Sequence, residues 1–190
     1  MKIGDYTVEE YRTLITRFHG YPAPGLLLGG YMVEYAKAAL PQGILFEAIV
    51  ETGSCLPDAV QILTPCSAGN QRMRIVNLGR YALVLYDKYT GEGVRVYVVT
   101  EKLREFPELE GWFLKRIPKA EQDEARLEVE MRAAGHSVCG LQHVRVHEKY
   151  IGHRSKGKVA DCPLCGESYP LKDGTSCRGC QGEAPYSDYK

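Results

Sequence analysis

The sequence predicts an α+β core followed by a small metal-held module, and three observations carry this. Helical and strand-like segments come in blocks rather than as a regular strand-helix-strand series, which points away from a doubly wound parallel sheet. At 190 residues and 44% apolar composition, the chain can bury one substantial core and one small satellite, but not two full-sized domains. Four of the seven cysteines crowd into the last 30 residues as two Cys-x-x-Cys pairs.

The elements follow in order. Thr7 with Glu10 has the form of a capping box, and Val8, Tyr11, Leu14, Ile15 and Phe18 recur at helical spacing, so a helix is expected over Val8 to Phe18. Gly20 and the Pro22 to Pro24 bend break the chain. Pro24 suits the first turn of a second helix, which Pro41 to Gly43 closes after Leu40. His19 therefore falls in the corner between two helices. ILFEAIVE (44–51) is rich in strand formers, and SCLPDAVQILT (54–64) offers Pro57 and Asp58 to the first turn of a short helix, with Cys55 at its N-terminus. PCSAGNQ is a turn, MRIV a short strand, and YALVLYDKYTGEGVRVYVV a hairpin with Thr90 to Gly93 at its tip. These strands are expected to form one antiparallel sheet. From Glu101 to Ala134 the chain turns charged and helical, before HSVCGLQHVRVHEKYI returns to strand-like alternation. GHRSKGK (152–158) is a short basic link, giving expected domains at 1–155 and 156–190.

Twenty-four lysines and arginines balance 24 acids, so no global field steers the chain toward nucleic acid or an acidic membrane. MKIGDYTVEEY lacks the apolar core of a signal peptide, and no window approaches the roughly 18 apolar residues a membrane span needs. The expectation is a soluble, cytoplasmic protein without a membrane partner.

The tail carries the strongest signal. Cys162, Cys165, Cys177 and Cys180 form C-x2-C, an eleven-residue spacer and C-x2-C. Each pair can make a tight knuckle, and four soft thiolates fill a tetrahedral zinc shell, closed and therefore structural. From Lys149 to Lys190 seven basic residues face five acids, and a tetrathiolate zinc adds about two negative charges. Strong phosphate binding, and with it a nucleic-acid partner, is not favoured.

A second constellation lies in the core. His19, Cys55 and Cys66 all fall at breaks between elements, and the helix dipole at Cys55 would favour its thiolate. Cys66 to Asn70 could present backbone amides to an anion. Cys139, His143 and His147 alternate along the last strand, with His136 just before it, where an outer solvated face explains them equally well.

FHGYPAPGLLLG, ETGSCLPDAVQILTPCSAGN and LGRYALVLYD, in that order and with the cysteine tail behind them, resemble the FmdE family of formylmethanofuran dehydrogenase proteins. The resemblance covers most of residues 10 to 100 and the tail. It implies helices packed on an antiparallel sheet, an intertwined homodimer and a C-terminal zinc finger of treble-clef type. The family's first motif commonly reads His-Gly-His-x-Cys-Pro-Gly; His19 and Gly20 match its start, but Tyr21 and Ala23 replace its second histidine and its cysteine. In the second region Cys55, Asp58, Gln61, Cys66, Gly69 and Asn70 match, while Pro65 and Ser67 depart. His19 thus lines what is a reactive, metal-competent pocket in relatives and a depleted one here. Members are associated with the molybdenum or tungsten enzyme that reduces carbon dioxide onto methanofuran. This chain has no molybdopterin or iron–sulfur signature, so it is not expected to be the catalytic component.

Three readings follow. In the first, the chain is an accessory protein whose core uses His19, Cys55, Asp58 and Cys66 to hold a second metal or a small ligand. In the second, it is a regulator or adaptor whose zinc finger binds protein or RNA, or senses metal. In the third, Cys55 is an enzyme nucleophile with His19 as its base.

Overall fold

Helix α1 (Val8–His19) begins at the expected capping box: the Thr7 hydroxyl accepts from the Glu10 amide at 3.2 Å, and the Glu10 carboxylate accepts from the Thr7 amide at 2.7 Å. It ends on Gly20, whose φ of 95° a side chain would resist. Helix α2 (Pro24–Ala38) follows at the proline and runs through the middle of the core, with Leu26, Leu28, Met32 and Val33 fully enclosed. An α-helix apolar on all sides belongs inside a protein. Its packing needs Gly30, where a Cβ would lie 2.6 Å from the Tyr11 ring and 2.9 Å from Ile3. A minimal hairpin, β1 (Lys2–Ile3) and β2 (Tyr6–Thr7), precedes α1 and brings Ile3 into that contact. The computed structural model of the chain describes residues 2–152 and 157–187.

The sheet consists of β3 (Phe46–Val50), β4 (Met73–Ile75), β5 (Ala82–Asp87), β6 (Glu92–Val98) and β7 (Cys139–Arg145), in the order β4-β3-β5-β6-β7. All neighbours are antiparallel except β3 and β4, which run parallel. Helix α3 (Leu56–Leu63) lies between those two and returns the chain to the same end, as a parallel pair requires. The sheet is thus antiparallel in the main rather than throughout. At the β5–β6 turn the Asp87 carboxylate accepts from the amides of Tyr89 and Thr90, both at 2.8 Å. This closes the turn early, so Glu92 and Gly93 are already part of β6 instead of its tip.

Period-two alternation divides the sheet. Ala48, Val50, Leu83, Leu85, Val94 and Val96 join the main core with α2. Ile49, Val84 and Tyr86 face the other way with Val146, beside the buried Glu47 and Glu51. Glu51 accepts two bonds from the Arg95 guanidinium, at 2.7 and 2.9 Å, which hold its carboxyl below its ordinary value against the opposing effect of burial. The charged stretch after β6 forms α4 (Thr100–Leu103), α5 (Pro107–Phe113) and α6 (Glu124–Ala134). Its first part breaks into two helices because Pro107 forces Phe106 out of helical geometry, with φ −132° and ψ 81°.

The chain divides into two compact units between Ile151 and Gly152. The expected boundary between 155 and 156 lies outside the described residues. In the second unit β8 (Val159–Asp161) and β9 (Ser168–Pro170) form an antiparallel hairpin around the first cysteine pair. No helix among the described residues is long and apolar enough to cross a membrane.

Candidate functional site

The corner after α1 and the N-terminus of α3 enclose a cavity of about 410 Å³, lined in part by His19, Tyr21, Cys55, Asp58, Gln61 and Met73. His19 Nδ1 lies 2.7 Å from Asp58 Oδ2. A carboxylate only accepts, so Nδ1 carries the proton and donates, leaving Nε2 for whatever enters. Asp58 Oδ1 accepts in turn from Gln61 Nε2 at 3.3 Å, and Gln61 Oε1 accepts from the Ala68 amide at 3.3 Å. One turn of α3 separates Asp58 from Gln61, which places both on the same side of the helix. The result is a relay from the turn before β4 to the imidazole.

Cys55 is the residue before α3 and carries φ 52° and ψ −52°, a conformation costly for any residue with a Cβ. Its carbonyl accepts from the Asp58 and Ala59 amides at 3.0 and 3.2 Å, which fixes the turn. The expected activation of its thiol is overturned: burial first, and the Asp58 charge second, push the thiol up from its ordinary value. Two residues that sequence reasoning missed hold it in place. A Cβ at Gly25 would lie 2.9 Å from Cys55 Cβ and 3.0 Å from its Sγ, and the Tyr81 hydroxyl donates to the Gly25 carbonyl at 2.5 Å. The glycine of the Pro-Gly step was the available signal for this close approach; nothing in the sequence singled out Tyr81.

The structure thus brings His19, Cys55 and Asp58 to one pocket but does not bring Cys66 there. Cys66 is fully buried among the main core residues, its Sγ donating to the Phe46 carbonyl at 3.5 Å, and burial pushes its thiol up. The turn after it offers no anion nest. The amides of Cys66, Ser67, Ala68 and Asn70 are taken by Thr64, Asn70, Gln61 and Ser67 side chains. Tyr21 tilts against the His19 ring with centroids 4.9 Å apart, and Ala23 is buried.

The strand residues do not gather either. Cys139 is buried, with its thiol pushed up to about 12 by that burial, while His136 stacks on Tyr35 at 4.8 Å. His143 lines a larger groove of about 620 Å³ between the end of α2 and strands β6 and β7. Charges in that groove are already matched, Glu92 by Arg145 and Asp87 by turn amides, so the chemistry concentrates in the smaller cavity.

In the second unit Cys162, Cys165, Cys177 and Cys180 place their sulfurs within 4.8 Å of one another, the only such metal-holding group among the described residues. Cys165 and Cys177 Sγ are 3.7 Å apart, against about 3.8 Å for the edge of a tetrahedron with zinc–sulfur bonds near 2.3 Å. The Cys177 amide is the chief cause holding the Cys162 thiol down at about 6. Hydrogen bonding to the Cys177 sulfur, and next to the Cys165 sulfur, pushes the Cys180 thiol up to about 12, so a bound cation would have to displace its proton. The donor set fits zinc.

Two family models match. Residues 18–147 fit FmdE, molybdenum formylmethanofuran dehydrogenase operon, and residues 153–187 fit the FmdE treble clef zinc finger. The chain belongs to the FmdE family. A solved structure of a tungsten formylmethanofuran dehydrogenase FmdE-like protein from Syntrophus aciditrophicus is 47% identical, with a TM-score of 0.89, covering 98% of this chain and 100% of that one. A relative from Archaeoglobus fulgidus, described as a probable S-adenosyl-L-methionine-binding protein, is 28% identical over 211 residues. The alignment covers 95% of this FmdE chain but spans 57% of the relative's length. The four cysteines are the ligands of a structural zinc site in this family's treble clef.

Proposed function

We propose that this FmdE-like chain is an accessory protein whose core pocket binds a small organic ligand, while zinc is confined to the C-terminal unit. The relay from Gln61 through Asp58 to His19 carries the reading, because it fixes an imidazole that lines the cavity and leaves its Nε2 for a ligand. Among the described residues the lining offers one carboxylate, one imidazole and a thiol kept protonated by burial, with no lysine or arginine. Such a set suits a ligand with a cationic or proton-donating end and repels phosphates. It suits a second metal poorly, since His19, Cys55 and Asp58 do not form a compact three-donor group and Tyr21 and Ala23 bring no ligand atoms of the kind the family motif has there. The raised thiol also weighs against Cys55 as an enzyme nucleophile.

The relative's description names the first ligand to try. S-adenosylmethionine has a sulfonium cation that Asp58 and the Tyr21 ring could face, and about 410 Å³ lies within the range of small-molecule sites. Calorimetric titration of the full chain is expected to give saturable binding that Asp58→Asn and His19→Ala abolish. Equal binding by wild type and both variants would discard the pocket, and no binding at all would discard this ligand.

A regulatory or adaptor role is the second reading. It draws on Val159, Leu164, Leu171 and Tyr186, which leave the small unit 47% to 78% exposed at apolar side chains. Pull-down with and without Leu164→Asp would test it. A homodimer belongs to the same proposal, since β4 and β7 are edge strands of the described sheet; sedimentation equilibrium reads it directly.

A further inference from the structure

The arginines in and beside the sheet fall into two groups. Arg80 and Arg95 both pair with Glu51, and Arg145 pairs with Glu92. Arg72 and Arg74, on either side of Met73 where β4 begins, enter no ion pair among the described residues, and neither does Lys149. Arg72 Nε and Arg74 Nη1 are moreover sealed from solvent, with no hydrogen-bond partner among the described residues. Arg72 spends another nitrogen, Nη2, on the Phe46 carbonyl at 3.1 Å. A buried guanidinium N–H without an acceptor is rare in a native fold and marks a place where an acceptor belongs.

The three cations are neighbours. Period-two alternation puts Arg72, Arg74 and Val76 on the outer face, where Val76 packs with the cluster of Ile49 and Tyr86. The Arg74 guanidinium carbon lies 5.8 Å from the centre of the Tyr150 ring, and Lys149 Nζ lies 5.0 Å from the same centre. Glu47 is the unpaired acid of this face: it is 5% exposed, and its Oε2 accepts from the Tyr86 hydroxyl at 3.0 Å. The other buried acid, Glu51, is already held by Arg80 and Arg95. Glu148, just before Lys149 in the chain, is exposed and pairs with none of the three. The buried part of the cluster thus sets three cations against one carboxylate, on a chain whose total charge is zero.

We propose that this edge of the sheet is a phosphate-monoester site, in which one phosphoryl group accepts from the Arg72 and Arg74 guanidiniums while Lys149 supplies a third positive charge. Side chains two residues apart on one face of a strand stand about 7 Å apart, so one tetrahedral group can face both forks. A monoester carries close to two negative charges near pH 7 and matches the excess, whereas a carboxylate or a phosphodiester carries one. The site is separate from the His19 pocket, which Met73 and Ile75 line from the opposite face of β4. It therefore does not depend on what that pocket binds.

The test titrates the full zinc-loaded chain with phenyl phosphate at fixed ionic strength and follows binding by calorimetry. Benzoate and a single-stranded oligoribonucleotide without terminal phosphate are the comparison ligands. Expected is saturable binding of one phenyl phosphate per chain, weakened roughly tenfold or more by Arg74→Gln and roughly threefold by Lys149→Gln. Arg116→Gln, an exposed arginine already paired with Glu110, should leave it unchanged. Benzoate should bind at least roughly tenfold more weakly than phenyl phosphate. Affinity should fall as the pH is lowered through the second phosphate ionisation at about 6, where the ligand loses a charge. No saturable binding, equal affinity in Arg74→Gln and Lys149→Gln, or benzoate binding as tightly as phenyl phosphate would overturn the proposal. So would an oligoribonucleotide that binds more tightly than the monoester and weakens in the same variants, since the face would then serve nucleic acid. Arg72 is left in place because it also holds the Phe46 carbonyl. If Arg74→Gln fails to fold, Lys149→Gln, at an exposed position, decides alone.

Discussion

The two units of this chain are ordered by different means, and the contrast explains why each could carry a site. In the core, an apolar helix is enclosed by a sheet and further helices, and the pocket at His19 is one corner of a structure that apolar burial already holds. The C-terminal unit buries Cys162, Tyr169 and Ser176 and little else, so its fold depends on what the four sulfurs bind. In the core, chemistry can change while the fold stays; in the small unit the chemistry is the fold. This matches the pattern of substitution within the family motifs. Tyr21 and Ala23 depart from the pocket motif without harm to the core, whereas the two cysteine pairs are complete.

The sharpest way to break the comparison is to remove zinc. Chelation, or Cys162→Ser, is expected to abolish amide protection over residues 157–187 while protection in α2 and β5 persists, since structural zinc in such modules supplies on the order of 10 kcal/mol. Hydrogen exchange reads both regions in one sample, and loss of protection in both would contradict the division. Because metal must displace thiol protons, notably that of Cys180, zinc affinity should fall as pH is lowered. The converse perturbation is Leu28→Ala, expected to destabilise the core by about 2–5 kcal/mol in denaturant titration and to leave zinc content unchanged.

Gly25→Ala should cost less, about 1–3 kcal/mol, because its methyl would collide with Cys55 and force the strained turn to move. Its specific readout is a change in the His19 imidazole nitrogen resonances, which a general loss of stability would not produce. Smallest is Asp58→Asn, with less than about 1 kcal/mol expected from a partly exposed pair. Removing its charge removes the second cause that raises the Cys55 thiol, so alkylation of Cys55 at a given pH should become faster in the variant. An unchanged rate would mean that burial alone controls this thiol.

Much of this arrangement was legible in the sequence where local rules act alone. The capping box, the proline start of α2 and the cysteine spacing each depend on neighbours within a few residues, and each is realised. What was not legible depends on contacts across the fold. Cys55 directly precedes α3 and Cys66 follows close behind its end at Leu63, but the chain enters the core there and carries the Cys66 sulfur away from the pocket. The dipole argument for Cys55 was outweighed by desolvation, a quantity that sequence does not display. The parallel pairing of β4 with β3 follows from α3 crossing between them, and the roles of Gly25 and Tyr81 appear only once α2 and α3 are side by side.

The central claim is that metal resides in the small unit and the core pocket holds none. It is tested most directly by plasma mass spectrometry of metal per chain, on anaerobically purified full-length protein and on the Cys162→Ser, Cys165→Ser double variant. One zinc per wild-type chain and none in the variant is the expected result. A metal retained by the variant would contradict it and place a second centre at His19, Cys55 and Asp58.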